Sequence, residues 1–210
     1  MLTRRKVLWG VPLVTAAALA GGSGVAWAEA LPVLTDTEIE GIVFMREEEK
    51  LARDVYAVLY ERWQTPVFRT IGSSEVSHMA AMKTLLDRYG VEDPAATRPA
   101  GVFQNRTLQR LYDDLVVAGQ ESRVAALKAG TAVEEIDILD LEERLGQTDE
   151  SPIQRVYGNL LNGSHNHLRA FARQLGQLSG EPFVPQYMDQ ATVDEILAQR
   201  SGRSRRRGGR

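Results

Sequence analysis

The chain has 210 residues, 43% of them hydrophobic and 25% charged, a globular composition with room for one ordinary core. It has no cysteine, which excludes disulfides, thiolate-held metals, iron–sulfur clusters and a cysteine nucleophile; any metal site must use Asp, Glu and His. The formal charge is only −3, but residues 1–28 and 200–210 carry nine basic and no acidic residues, which leaves 16 basic against 28 acidic residues between them. A stretch of charge −12 is a poor nucleic-acid ligand and a good attractor of cations.

The N-terminus reads as an export signal. Arg4, Arg5 and Lys6 precede an apolar, Ala-rich run, and Ala26-Trp27-Ala28 supplies an A-x-A cleavage site. The paired arginines resemble the twin-arginine type, which carries folded proteins; an ordinary secretory signal and an uncleaved anchor are the alternatives. The expected organisation is a signal peptide over 1–28, a helical domain over 29–199 and a disordered basic tail over 200–210. The mature protein is then periplasmic or extracellular, with no stable membrane span after cleavage.

The rest of the sequence has helical periodicity and no alternating run long enough for a sheet. A first helix is expected from about Asp36 to Trp63, opened by the capping-box pair Thr35 and Glu38 and closed by Gln64-Thr65-Pro66. On its wheel Ile42, Met45, Glu49, Ala52, Tyr56 and Tyr60 share a face, while Glu47 and Lys50 point away. A carboxylate inside an apolar stripe is costly unless paired, so Glu49 is either a metal ligand or half of a structural salt bridge, Arg53 being one candidate partner.

A second helix, from about Val67 to Tyr89, stops at Gly90. It carries Ile71, Glu75, His78, Met79 and Met82 on one face, and Glu75-x-x-His78 brings a carboxylate and an imidazole within reach of one ion. A Pro/Ala-rich connection leads to a helix from Asn105 to about Ala118. A helical region from Ser122 to Leu145 follows, with a break expected at Gly130-Thr131.

In that region Glu134 and Asp137 share the side of Ile138 and Leu141, and Glu135 and Glu142 fall on a solvated side. Thr131-x-x-Glu134 is also a capping-box pattern, which would make Glu134 a cap and Glu135 the substitute ligand. Ser151-Pro152 is expected to cap and open a long helix ending near Gly176, with Val156, Leu160, Gly163, His167 and Phe171 inward and His165 outward. A short helix from about Thr192 to Gln199 completes the domain.

Two helical hairpins joined by a long crossover give an all-α fold: a ferritin-like four-helix bundle whose crossover contains an extra helix. The motifs point the same way. Glu49, Ala52, Arg53 and Tyr56 resemble the first-helix ligand motif of rubrerythrins, and Glu75-x-x-His78 resembles their second. The segments REEEKLARDVY, SSEVSHM, VEEIDILDL and NLLNGSHNHLRAF are similar to a prokaryotic ferritin-like family of unknown function, over roughly residues 36–188. That resemblance implies a di-iron or related di-metal centre and supplies no substrate. The sequence departs from rubrerythrins in lacking the cysteine-ligated module and in placing Ser164 three residues before His167, where a carboxylate is expected.

Glu49, Glu75, His78, Glu134, Asp137 and His167 are therefore the expected metal ligands, with Asp137 replacing the carboxylate missing at Ser164. Tyr56 is a core residue, a hydrogen-bond donor to a ligand, or a redox-active group. The expected cofactor is two iron ions, with manganese or zinc the other fits. The expected partners are metal ions and oxygen or peroxide, in a redox or iron-handling role; homo-oligomer formation stays open. The alternative is a metal-binding or envelope interaction module without turnover. If the twin-arginine reading holds, replacing Arg4 and Arg5 by Lys leaves precursor in the cytoplasm, and N-terminal sequencing of exported wild-type protein starts near Glu29.

Overall fold

The computed structural model describes residues 33–199. The expected signal peptide, its cleavage site and the basic tail lie outside the described residues. Among the described residues there are six helices and no strand: α1 (Asp36–Trp63), α2 (Pro66–Tyr89), α3 (Arg106–Gly119), α4 (Arg123–Leu145), α5 (Ser151–Ser179) and α6 (Gln190–Ala198). None of them is long and apolar enough to cross a membrane.

The helix ends explain the chain reversals. Thr35 and Glu38 form the reciprocal capping box that opens α1. Gln64 closes α1 in the left-handed region, φ 50°, and Pro66 starts α2 two residues later, so the two helices fold back as a hairpin. α2 ends at Gly90, φ 66°, a conformation glycine adopts without a Cβ clash. α1 packs on α2 and α4 on α5, and the two hairpins close on each other through α1–α4 and α2–α5. Gly41 meets Arg144 and Tyr56 meets Gly130, so α1 and α4 run antiparallel. α3 lies across α1 and α4, and α6 docks on α5.

The four long helices share two apolar clusters, and a third, of Ile138, Leu168, Met188, Val193 and Ile196, seats α6 against α4 and α5. Of the shared two, one gathers Val55, Tyr56, Phe68, Ala132 and Phe171; the other Ile42, Met45, Met82, Leu141 and Leu160. Each of the four long helices contributes to both. Between them each helix carries a short polar stretch: Glu48 and Glu49 on α1, Glu75 and His78 on α2, Glu134 and Asp137 on α4, and Ser164 and His167 on α5. The core is thus apolar at two levels and polar at the level between.

Several expectations need correction. α4 runs unbroken through Gly130 and Thr131. A Cβ on Gly130 would lie 2.7 Å from the buried Phe171 ring, so this glycine admits a neighbour and does not end a helix. The Thr131 hydroxyl donates to the Lys128 carbonyl in mid-helix, which removes the capping-box role for Glu134. α5 is capped at Glu150 and runs to Ser179, beyond Gly176. α6 begins at Gln190 behind Asp189, whose carboxylate accepts from the Thr192 amide.

Glu47 and Lys50 do turn away from the core, yet both are buried, because residues 91–105 cover that side of α1. Glu47 accepts from the amides of Gln104 and Asn105 at 2.5 and 2.9 Å. Lys50 donates to Asp54 and to the carbonyls of Pro99 and Val102, and its ammonium lies over the Phe103 ring. These charged side chains satisfy backbone groups of an irregular segment that would otherwise be buried unpaired. Glu135 is likewise fully buried and not solvated: its Oε2 accepts from the amides of Gln186, Tyr187 and Met188. His165 is half-buried where an exposed position was expected.

Gly130→Ala tests the close approach of α4 and α5. It should lower unfolding stability by roughly 1–3 kcal/mol, the usual cost of overpacking, measured by denaturant titration.

Candidate metal centre

Two groups of potential ligands meet at the polar level of the bundle: Glu49 with Glu75 and His78, and Glu75 with Glu134 and His167. Within each group one donor atom per residue lies within 4.8 Å of the others. Glu75 belongs to both. Its Oε2 lies 2.8 Å from His78 Nδ1, and its Oε1 lies 2.9 Å from His167 Nδ1. The two imidazoles stack with centroids 5.4 Å apart. One carboxylate thus serves two histidines, one oxygen each.

The outer carboxylates complete the arrangement. Glu49 Oε2 lies 3.2 Å from His78 Nδ1, and Glu134 Oε2 lies 3.4 Å from His167 Nδ1. The Tyr56 hydroxyl donates a short hydrogen bond to Glu134 Oε1. Tyr56 is thus both a core residue, fully buried in its apolar cluster, and a hydrogen-bond donor to Glu134. Arg53 is engaged by Asp54, not by Glu49, so the buried partner of Glu49 is His78. Asp137 lies outside both groups: its Oδ2 accepts from Ser164 Oγ at 2.5 Å and its Oδ1 has no partner. Ser164 therefore occupies the place of the expected carboxylate and docks Asp137 from α4.

Gly163 makes room for the second helix. A Cβ there would stand 2.7 Å from the His78 ring, so its absence lets the imidazole reach both Glu49 and Glu75.

Burial raises Glu49, and the nearby Asp137 and Glu75 charges add to it. Burial also raises Glu134, against the pull of His167, and raises Asp137 to about 7 with help from Glu134. Glu75 behaves oppositely: despite its burial, contacts to His167 and His78 hold it at about 2. Burial alone would depress His167, but Glu134 and Glu75 lift it to about 10. Burial opposes and Glu75 drives the rise at His78.

The residues fit a pair of divalent cations on two counts. Glu49 Oε1, Glu75 Oε1, Asp137 Oδ1 and His167 Nδ1 are buried without hydrogen-bond partners, although His167 Nδ1 is within 3 Å of Glu75; the contact is close but lacks hydrogen-bond alignment. Such contacts between lone-pair-bearing atoms call for a cation or a proton between them. Charge gives the second count. Glu49, Glu75, Glu134 and Asp137, when ionised, carry four negative charges, which two divalent ions would balance with both imidazoles neutral.

Residues 38–200 match the family described as an uncharacterized protein domain, DUF2202. The chain belongs to this family. It is 44% identical over 174 residues to the uncharacterized protein MJ0754 of Methanocaldococcus jannaschii, which covers 83% of this chain and 94% of that protein. The crystal structure of the hypothetical protein MJ0754 superposes with a TM-score of 0.78, covering 82% of this chain and 99% of that one. The fold is thus shared with a relative of known structure.

Of the six expected site residues, Glu49, Glu75, His78, Glu134 and His167 come together, and Asp137 stands beside them. The sequence reading missed Glu48, buried at the same level of α1; its burial between α1 and α4 has no periodic signal distinct from that of Glu49.

The raised groups have a pH consequence. Glu49, Glu134, Asp137, His78 and His167 all bind protons more tightly folded than unfolded, so their stabilisation is present at low pH and lost as pH rises through the folded values. Glu75 has the opposite sign, but its loss falls well below this window. The metal-free protein should therefore show a falling thermal midpoint from about pH 5 to about pH 10, where His167 gives up its proton. A rising midpoint in a calorimetric series would contradict the assignment.

Proposed function

We propose that this DUF2202 protein is a ferritin-like di-metal protein of the cell envelope, in which Glu75 would be a donor common to two divalent cations, and that it acts in oxygen- or peroxide-dependent redox chemistry or iron handling. The observation that carries this reading is the shared Glu75 carboxylate, one oxygen toward His78 and the other toward His167. Glu49 and His78 would complete one side and Glu134 and His167 the other, with Asp137 as the sixth donor.

Mixed carboxylate–imidazole donors suit iron, manganese or zinc, and iron is the choice that adds redox chemistry. Bound iron would supply electrons to oxygen or peroxide. The protein's own part is to hold the donors and exclude water. The Tyr56 hydroxyl orients Glu134, Ser164 orients Asp137, and the apolar clusters above and below seal the level. Fold supports the reading through its four long helices, each contributing to one polar level, the plan by which bundles build such sites. Export of the mature chain remains the expectation from its first residues.

Metal counting tests the bridge. After anaerobic loading with ferrous iron, Glu75→Gln should lose both ions, while His78→Ala and His167→Ala should each lose one, with helical content retained. Full occupancy in Glu75→Gln would refute the bridge. On admitting oxygen or peroxide, loaded wild type should develop near-ultraviolet ferric absorption faster than iron in buffer. Binding without such acceleration would make the protein a metal-binding module without turnover.

Binding itself should release protons, because His167 holds its proton to about 10 and Asp137 to about 7 in the metal-free chain. Affinity should weaken as pH falls, and an indicator dye in weak buffer should record acidification on loading.

A further inference from the structure

Toward the turn that joins them, α1 and α2 leave a surface pocket of about 260 Å³ between Arg53 and Tyr60 on one side and Phe68, Arg69 and Gly72 on the other. Small-molecule pockets run from roughly 300 to 1,000 Å³, so an occupant of this one is small. Its walls include the Tyr60 and Phe68 rings, and the fully buried Tyr56 lies beneath them.

Two guanidinium groups line this pocket, in a stretch of the chain whose charge is −12. Arg53 has Asp54 as its partner, but Asp54 also holds the buried Lys50 and accepts from the Gly101 amide. One carboxylate thus answers two cations there. Arg69 is exposed and, among the described residues, pairs with no carboxylate. It donates to the Tyr60 hydroxyl at 3.3 Å and lies over the Tyr60 ring, 5.5 Å from the centroid. The pocket joins aromatic surface to incompletely neutralised positive charge.

Gly72 keeps it open. At Gly130 and Gly163 a Cβ would clash with a ring at 2.7 Å, but a Cβ on Gly72 would meet the Tyr56 Cβ at 3.4 Å, an ordinary contact. Packing therefore does not demand glycine at this position, and glycine destabilises a helix interior relative to alanine. What the missing side chain does is leave the space beside Tyr56 empty.

We propose that this pocket binds a small aromatic carboxylate of one ring or two fused rings, its rings on Tyr60 and Phe68 and its carboxylate between Arg53 and Arg69. Guanidinium groups present paired N–H donors to a carboxylate, and aromatic walls favour a flat apolar body. The site goes beyond the di-metal reading and does not depend on it. Tyr56 connects the two places, since it lines the pocket and its hydroxyl donates to Glu134. A bound acid sits one side chain away from the candidate centre.

The test is a fluorescence titration of metal-free, full-length protein with 2-naphthoate. Wild type should bind one molecule per chain, saturably. Arg69→Gln should bind about tenfold more weakly, and so should wild type with 2-naphthalenemethanol, which keeps the rings and lacks the charge. Gly72→Leu should abolish binding with helical content retained. Arg62→Gln, which removes an exposed guanidinium lying over Trp63 outside the pocket, should bind as wild type does. Arg69 is exposed, so Arg69→Gln decides the matter even where Gly72→Leu unfolds. Absence of saturable binding, wild-type affinity in Arg69→Gln or in folded Gly72→Leu, equal weakening in Arg62→Gln, or equally tight binding of the alcohol would each overturn the site. Metal uptake plays no part in this titration, so the pocket and the di-metal reading can fail separately.

Discussion

Glu75 can be buried only because two imidazoles meet it, one at each oxygen. Those imidazoles come from different helices, His78 from its own α2 and His167 from α5, so the contact joins the two hairpins across the α2–α5 face. The remaining acidic groups are arranged around that junction. α1 delivers Glu49 to His78, and α4 delivers Glu134 to His167, each from the hairpin partner of the helix that carries the histidine. The apolar clusters at either end of the bundle hold the helices in register and keep water from the polar level. Taken without a cation, the level is electrostatically frustrated: several carboxylates are forced toward their protonated forms by burial and by each other. A folded protein tolerates such a layer where the layer does something.

The parts of this arrangement legible in sequence are those where a charge contradicts an apolar stripe. Glu49, Glu75, His78 and His167 each interrupt a run of core positions, and helical periodicity alone aims them inward. Periodicity says which way a side chain points from the helix axis; it does not say what lies there. Glu47 and Lys50 point away from the bundle as their spacing requires, but the aperiodic connection that covers them left no trace in the pattern. Glu135 fails for the same reason, its cover being the segment at 186–188. Gly130 reads locally as a helix breaker, and only the Phe171 ring arriving from a distant helix shows why a glycine stands there. The ends of α5 moved by a few residues, the ordinary uncertainty where the cap has no side-chain hydrogen bond, whereas α6 starts at the Asp189 cap.

Serine at position 164 links α5 to α4 at the polar level. Its hydroxyl donates to Asp137 and to the carbonyl of Leu160. Under the proposed di-metal reading, Asp137 on α4 would stand in for the carboxylate such a bundle carries on α5, held by the hydrogen bond from Ser164. The smaller side chain leaves space that a longer carboxylate would fill, and Gly163 beside it admits the His78 ring.

Glu134 and Glu135 are neighbours in sequence with unrelated tasks. One reaches into the polar level toward His167 and Tyr56; the other grips three successive amides at the start of the C-terminal segment. Because consecutive side chains on a helix are separated by a fixed angle, α4 acts as a shaft between them. Any turn of α4 that lets Glu134 follow a change in its surroundings carries Glu135 through the same angle, and with it the backbone at 186–188 and the helix that follows. The middle of the bundle and its C-terminal edge are thereby geared together through two adjacent residues.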